Sequence, residues 1–177
     1  MVGESGTVTV TKSPDLAETD LVIDIDADGI TPSINQETGV ITLSVDVTTL
    51  AGDYVAEISC GEAEPKEITI TVTAPTVTEI AYSGSGVIKM TALNRDITLN
   101  LGRSPMFSQG AITYELSEYE DCFTITQTPN QSWDSRNLSY KDKFVFRQTT
   151  ATSATQDIPI TFRCGDATLN LVVHPYA

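Results

Sequence analysis

Alternating apolar and polar residues dominate the chain, and one alternating hairpin occurs in it twice. The first copy runs from Asp53 to Ala63 and the second from Asp157 to Ala167. Each copy ends in Cys-Gly-acid-Ala and is followed by a second alternating segment, residues 68–72 or 169–173. Strict alternation is typical of a strand with one buried face, and a glycine turn between two such strands predicts a β-hairpin. The copies lie about 100 residues apart, the size of one small domain.

Further alternating segments occupy much of the remaining chain, and no segment longer than one turn has a helical period. Turn residues recur about every ten residues, which favours short antiparallel strands in a sandwich. Polar loops are predicted at residues 128–143 and 149–156, and a turn at Ser13-Pro14-Asp15. The additional strands are predicted at residues 7–11, 21–28, 40–47, 77–82, 87–90, 96–101, 112–116, 123–126 and 144–147.

The repeat and Pro75 divide the 177 residues into two predicted domains, residues 1–74 and residues 75–177. Each is long enough to bury its own core. The chain is therefore predicted to be all-β, with two antiparallel β-sandwiches in tandem.

Charge differs between these halves. The chain has a net charge of −14, and residues 1–75 hold 14 Asp and Glu against only Lys12 and Lys66. Residues 76–177 hold 10 acidic against eight basic residues, so the two net charges are −12 and −2. Because phosphate binding depends on Lys and Arg, nucleic acid is not an expected partner. A soluble, self-repelling surface is the simplest interpretation. The alternative is that the acidic half faces solvent while the near-neutral half docks onto a partner.

Three cysteines leave two interpretations open. Cys60 and Cys164 hold equivalent positions in the two hairpins, so they are not expected to pair with each other. Either Cys122 and Cys164 form a disulfide, or all three are reduced thiols that pack as small apolar groups, which we favour.

Neither a membrane span nor a signal peptide is predicted. No run of about 18 apolar residues exists. The first residues have neither a basic region nor an apolar one. Either the protein is not exported by that route or a leader is missing from this sequence.

A resemblance to a known superfamily rests on residues before the first hairpin. Leu50-x-Gly52-x-Tyr54 resembles a tyrosine corner. Residues 38–41 (Thr-Gly-Val-Ile) followed by residues 51–54 (Ala-Gly-Asp-Tyr) are similar to cadherin-like bacterial modules, and residues 74–80 resemble the start of group 2 bacterial Ig-like domains. The chain thus resembles the immunoglobulin-like proteins of bacteria and phages. This resemblance implies that the two sandwiches are immunoglobulin-like.

The resemblance departs from antibody domains in one respect. In those domains a disulfide cysteine follows two residues after the corner tyrosine. Here Ala56 stands at that position and Ile160 at its counterpart, so the disulfide is absent. Ile158 replaces the corner tyrosine in the second copy, where the resemblance rests on the hairpin alone.

Asp24, Asp26 and Asp28 alternate ahead of Gly29, which resembles the first half of a calcium loop. The twelfth position of an EF-hand needs an acid, and here it is Asn35. The favoured interpretation is a strand whose solvent face carries three aspartates, with calcium as the alternative. No other cofactor is expected.

Trp133, the only tryptophan, lies in the polar stretch with Arg136 and Tyr140. Aromatic residues and arginine on loops are enriched where proteins bind each other, so these three are the candidate partner-binding residues. The favoured interpretation of Trp133 itself is that it folds back and caps the sandwich, with the partner contact as the alternative.

No enzymatic site is predicted. His174 is the only histidine and has no Ser or Cys in a catalytic pattern. The cysteines lack the spacing of metal ligands. Two glycosylation sequons begin at Asn130 and Asn137.

These features predict a non-enzymatic structural protein. The first hypothesis is a phage virion component, namely a capsid decoration, auxiliary capsid or fibre-type subunit that contacts other virion proteins or copies of itself. The alternative is a bacterial cell-surface or secreted module for adhesion or carbohydrate binding.

Overall fold

Strands make up nearly all regular structure of the described residues. The computed structural model describes residues 1–13, 18–136, 138–153 and 156–176. The chain divides into two compact units, Met1–Ala74 and Pro75–Ala177, called here the amino-terminal unit and the carboxy-terminal unit. Apart from strands, the described residues form one short 3-10 helix, Glu120–Cys122. None of the described segments is a helix long and apolar enough to cross a membrane.

The amino-terminal unit consists of six described strands: β1 (Ser5–Thr9), β2 (Leu21–Ile25), β3 (Ile30–Asn35), β4 (Val40–Val45), β5 (Gly52–Cys60) and β6 (Lys66–Val72). They form two antiparallel sheets with the orders β1-β4-β3 and β2-β5-β6. β5 and β6 are the first copy of the repeated hairpin.

The carboxy-terminal unit contains eight described strands: β7 (Glu79–Ala81), β8 (Val87–Lys89), β9 (Asp96–Ser104), β10 (Thr113–Leu116), β11 (Phe123–Asp134), β12 (Ser139–Gln148), β13 (Ile158–Cys164) and β14 (Ala167–His174). One sheet has the order β11-β12-β9-β7, and the other has the order β10-β13-β14-β8. Every pairing is antiparallel except that of β8 with β14, which is parallel.

This strand order is that of an immunoglobulin-like sandwich. In such a sandwich a sheet of the first, second, fifth and fourth strands packs on a sheet of the third, sixth and seventh. In the carboxy-terminal unit the first strand is split, because β7 belongs to one sheet and β8 to the other. In the amino-terminal unit β1 to β6 match the second to seventh strands. The predicted fold class, all-β with two tandem immunoglobulin-like antiparallel β-sandwiches, is confirmed.

Three phenylalanines form the centre of the carboxy-terminal core. Phe144, Phe146 and Phe162 are fully buried, and the ring centroids of Phe144 and Phe162 lie 5.1 Å apart in an edge-on contact. Phe162 shares its inward face with Ile160 and Cys164, which are also buried. The alternation in the second hairpin therefore predicted its buried face correctly.

The amino-terminal unit has the predicted tyrosine corner. The Tyr54 hydroxyl donates a hydrogen bond of 2.7 Å to the Leu50 carbonyl oxygen. This bond fixes the chain where it enters β5, as in other sandwiches of this kind. The core beneath it is aliphatic, and its buried apolar residues are Val2, Leu21, Ile30, Ile41, Leu43, Ala56, Ile58 and Val72.

Three strand predictions need correction. β3 was not predicted because Pro32 interrupts its sequence. Among the described strands β3 pairs with β4 alone, and an edge strand tolerates proline. The strand predicted at residues 21–28 ends at Ile25. The stretch predicted as a polar loop, residues 128–143, largely belongs to the β11–β12 hairpin. It is polar because it extends beyond the ladder between β12 and β9, which ends at the pair Asp142 and Leu101.

Parts of other predictions lie outside the described residues. These are Pro14 and Asp15 of the predicted turn, residues 154–155 of the predicted loop, and Asn137 of the second sequon.

Candidate functional site

The far end of the β11–β12 hairpin carries the predicted aromatic residues. Trp133 and Tyr140 are directly opposite each other in the ladder, and their ring centroids lie 5.0 Å apart with an interplanar angle of 73°. Both side chains are partly exposed. Edge-to-face contact holds the two rings in a defined arrangement. Trp133 therefore packs on Tyr140 across its own hairpin, and its role as a partner contact or as a cap stays a prediction.

Charged groups surround this aromatic pair. Lys141 Nζ lies 2.6 Å from Asp134 Oδ2. The backbone N–H of Arg136 donates a hydrogen bond of 3.0 Å to Asp134 Oδ1, and the Arg136 residue is exposed in the turn. The structure thus brings Trp133 and Tyr140 together and places Arg136 in the adjoining turn. We call residues 133–136 and 138–141 the hairpin tip.

A buried ion pair supports the base of the hairpin tip. Arg103 Nη2 lies 2.9 Å from Asp142 Oδ1, and these side chains are 2% and 0% exposed. Arg103 also donates hydrogen bonds to the carbonyl oxygens of Gly110 and Tyr140, at 2.6 and 2.9 Å. The bond to Tyr140 ties the backbone of the hairpin tip directly to the core.

Asp142 also holds an irregularity in β11. The ladder between β11 and β12 shifts register between Thr128 and Ser132. Within that bulge the backbone N–H of Asn130 donates to Asp142 Oδ1 at 2.9 Å, and Gln127 Nε2 donates to Asp142 Oδ2 at 3.1 Å. A bulge bends its strand and re-aims the residues beyond it. The orientation of the hairpin tip therefore depends on one buried carboxylate.

Sequence reasoning did not identify Arg103 and Asp142, although a signal was present. Arg103 continues the inward phase of Leu99 and Leu101, and Asp142 has the phase of Phe144. A single charge at an inward position is costly, whereas opposite charges on neighbouring strands predict a pair.

The candidate calcium residues are arranged differently from a metal loop. Asp24 is opposite Glu57 on β5, which is opposite Glu67 on β6. These three exposed carboxylates, called here the acidic row, cross the sheet side by side. Asp26 and Asp28 follow the end of β2. Within the described residues, no group of three or more His, Cys, Asp or Glu side chains is placed to hold a metal ion. Calcium binding stays a prediction.

None of the residues considered for catalysis or disulfides belongs to the hairpin tip. His174 Nδ1 is 2.6 Å from Asp157 Oδ1, and both side chains are about half exposed. Cys60, Cys122 and Cys164 are free thiols. Cys164 is buried, and Cys60 Sγ donates a 3.6 Å hydrogen bond to the Thr19 carbonyl oxygen.

One surface ion pair lies on the outer face of the sheet that carries the hairpin. Arg147 Nε and Nη2 donate to the two carboxylate oxygens of Asp96, at 2.6 and 2.9 Å. These hydrogen bonds lower the pKa of Asp96 and raise the pKa of Arg147. The pair lines a shallow groove together with Thr124, Thr126 and Val145.

No protein-family model and no curated protein matches this chain. Solved structures do resemble it, among them several at low identity. Domains 4–9 of the surface layer protein SbsC share 12% identity with a TM-score of 0.41, covering 97% of this chain and 24% of that one. The chain therefore spans about a quarter of that structure's length.

Two further structures resemble the chain at similar levels. Dpr2 Ig1–Ig2, solved in complex with DIP-Theta Ig1–Ig3, shares 11% identity with a TM-score of 0.37, and 98% of this chain and 91% of that one are covered. The extracellular domains 3–5 of Drosophila OTK share 9% identity with a TM-score of 0.38, and 97% and 59% are covered. The strand order of the chain itself is that of an immunoglobulin-like sandwich, independently of these structures.

Proposed function

We propose that this chain is a non-enzymatic structural protein that binds other proteins within a surface or extracellular assembly, and that the hairpin tip is its docking site. The observation that carries the proposal is the preordered contact of Trp133 with Tyr140 at the far end of a hairpin. Large aromatic side chains bury much area at little cost in conformational entropy, and they dominate binding energy where arginine lies beside them. Arg136 supplies that neighbouring charge.

Charge supports the assignment of docking to the carboxy-terminal unit. Residues 76–177 have a net charge of −2, whereas residues 1–75 have a net charge of −12. A near-neutral surface approaches a partner with less electrostatic repulsion than a strongly acidic one. We infer that the acidic amino-terminal unit faces solvent in the assembly.

The assembly that we propose is a phage particle, where the chain would serve as a capsid decoration, auxiliary capsid or fibre-type subunit. The free thiols and the resemblance to phage immunoglobulin-like modules support this choice. A bacterial cell-surface protein for adhesion or carbohydrate binding is the second candidate. The cadherin-like residues and the aspartates at 24, 26 and 28 favour it.

Co-sedimentation with phage particles and, separately, with bacterial cells from the same source tests the proposal. The wild-type chain should co-sediment with virions, and Trp133→Ala should weaken that binding by about tenfold or more, as expected for a central aromatic contact. Tyr176→Ala is the matched control, because Tyr176 is an exposed aromatic residue of the same unit beside the opposite end of β12.

Charge reversal provides a second pair of variants. Arg136→Glu should weaken binding, whereas Arg95→Glu changes the charge equally at another exposed site and should not. Equal binding by Trp133→Ala and wild type would contradict the docking assignment. Sedimentation with cells but not virions would replace the phage particle by the bacterial surface.

A further inference from the structure

One long edge of the amino-terminal unit is open. β6 pairs with β5 along its whole length, and among the described residues no strand pairs with its other side. A backbone hydrogen bond of 3.0 Å joins the Val2 N–H to the Thr73 carbonyl oxygen, just beyond the end of β6. An unpaired edge presents free N–H and C=O groups, which form a template for a further strand.

The carboxy-terminal unit covers the equivalent edge with β8. Val172 donates its N–H to the Gly86 carbonyl oxygen at 3.0 Å, and β8 runs parallel to β14. Val55 in the first copy of the hairpin occupies the position of Pro159 in the second copy. Thr69 is opposite Val55, and Val172 is opposite Pro159. Thr69 therefore corresponds to Val172, and its N–H points into the open edge.

The inward residues of β6 remain incompletely covered. Ile68 and Ile70 lie on the same face as the buried Val72, but both are only partly buried. Their counterparts Leu171 and Val173 are 4% and 0% exposed. In that unit the adjoining strand contributes Ile88, which is itself 3% exposed. A strand added beside β6 would bury Ile70 against an apolar side chain of its own, which is favourable in proportion to the area removed from water.

Charge indicates the outward residues of such a strand. The acidic row ends with Glu67, whose side chain is on the outer face at the open edge. On an added strand, the residue beside Glu67 would lie next to the end of the acidic row. Opposite charges at neighbouring cross-strand positions stabilise a sheet, and like charges destabilise it. β8 itself has Lys89 outward, beside His174. A second copy of the acidic unit would bring like charge to the edge.

We propose that the open edge of β6 binds an extended segment of a partner protein as an additional strand, parallel to β6, in which apolar residues alternate with lysine or arginine. The backbone groups of Glu67, Thr69 and Thr71 provide the hydrogen bonds. Ile68 and Ile70 receive the apolar side chains, and Glu67 receives a basic one. This site is separate from the hairpin tip and does not depend on it.

A labelled synthetic peptide of alternating lysine and valine serves as the probe, with binding to the full chain measured by fluorescence anisotropy. Hydrogen exchange should slow at the amides of Thr69 and Thr71 when the peptide binds. A glutamate–valine peptide and a lysine–proline peptide are the controls, since one reverses the charge and the other has no backbone N–H at every second position, where valine is replaced by proline. Both should bind at least about tenfold more weakly.

Two pairs of variants separate strand addition from nonspecific attraction. Thr69→Pro removes an N–H that β5 does not use, and it should weaken peptide binding by about tenfold, while Thr69→Val keeps the N–H and should bind as the wild type does. Glu67→Lys should weaken binding more than Glu64→Lys, although both change the net charge equally. Circular dichroism and thermal unfolding establish that each variant is folded. If Thr69→Pro does not fold, the comparison of Glu67→Lys with Glu64→Lys and the hydrogen-exchange data test the proposal instead.

Three results would overturn the proposal. The first is equal binding by the Pro and Val variants with unchanged exchange at residues 69 and 71. The second is an equal loss in Glu67→Lys and Glu64→Lys. The third is concentration-dependent dimerisation that Thr69→Pro abolishes without any peptide binding, which would make a second copy the occupant. Trp133→Ala should leave peptide binding unchanged, so this test is independent of the docking role of the hairpin tip.

Discussion

The two units share one strand arrangement but complete it differently. The carboxy-terminal unit has the first strand in two pieces, β7 and β8, which cover β9 and β14. The described amino-terminal unit has no counterpart of either strand, and its β6 remains at an edge. The consequence is visible in the cores, because Val173 is fully buried while Ile70 is not. A repeated hairpin therefore does not guarantee equal burial, which depends on the strand beside it.

The units also differ in how they use charge. The carboxy-terminal unit buries one ion pair, Arg103 with Asp142, inside its core. The amino-terminal unit places like charges side by side on its surface, in the acidic row. One arrangement fixes the geometry of a hairpin within the unit. The other leaves repulsion between like charges on the surface, which a bound cation or a basic partner would reduce.

The largest expected effect comes from breaking the buried pair. Arg103→Met leaves the Asp142 carboxylate buried without its cation, which should lower the free energy of unfolding of the carboxy-terminal unit by about 3–5 kcal/mol. Hydrogen exchange resolved along the chain would measure this unit separately from the other. The double variant Arg103→Met with Asp142→Leu should recover much of the loss, since a matched apolar pair leaves no buried charge. If Arg103→Met destabilised both units equally, the buried ion pair would not act within the carboxy-terminal unit as described.

A smaller effect should distinguish the amino-terminal unit. Tyr54→Phe removes the hydrogen bond to the Leu50 carbonyl and should reduce the stability of that unit alone by about 1 kcal/mol. Denaturant unfolding, monitored by hydrogen exchange of the β5 amides, measures the stability of this unit. Tyr176→Phe, in an exposed residue of the other unit, is the control and should change neither transition. No loss in Tyr54→Phe would mean that the corner does not stabilise the unit.

Changing the acidic row should raise stability. Glu57→Lys puts a positive charge between Asp24 and Glu67, so we expect the amino-terminal unit to gain about 0.5 kcal/mol. Glu64→Lys is the matched control, because it changes net charge equally outside the row. The gain should shrink at high salt, where surface charges are screened. A melting curve in calcium chloride, compared with sodium chloride at equal ionic strength, tests the calcium hypothesis for the three aspartates separately, since a bound ion raises apparent stability.

The smallest effect concerns pH. The pKa of Asp96 is lowered in the folded state, mainly by the Arg147 hydrogen bonds, from an ordinary value of 3.8. Its contribution to stability is therefore present above that value and is lost as pH falls through the lower folded pKa. Asp96→Asn should flatten the acid side of the stability curve of the carboxy-terminal unit slightly. Unfolding is measured between pH 2 and pH 5, about the range over which such carboxylates titrate. If the ion pair contributes nothing, Asp96→Asn and the wild type will show the same pH dependence.

Local patterns predicted the strands of the two hairpins and their inward faces. The alternation in residues 53–60 and 157–164 predicted both the strands and their inward faces, because a strand buried on one face requires a period of two. The tyrosine corner was also predictable, since it joins residues four positions apart in sequence. Prediction failed at β3 and at the hairpin tip, where proline or polar residues obscure the alternation even though each segment pairs with the next strand in a hairpin.

The sequence by itself determined that this protein is all-β, that its hairpin is repeated and that its acidic charge is concentrated in one half. These properties depend on composition and on neighbours along the chain. Only the tertiary structure decided that Arg103 pairs with Asp142, that Trp133 packs on Tyr140, and that the edge of β6 is open while that of β14 is covered. Each of these depends on which strands lie side by side. For the ion pair and for the covered edge of β14, that choice is made by burial and hydrogen bonding between segments far apart in the chain, which no local pattern encodes.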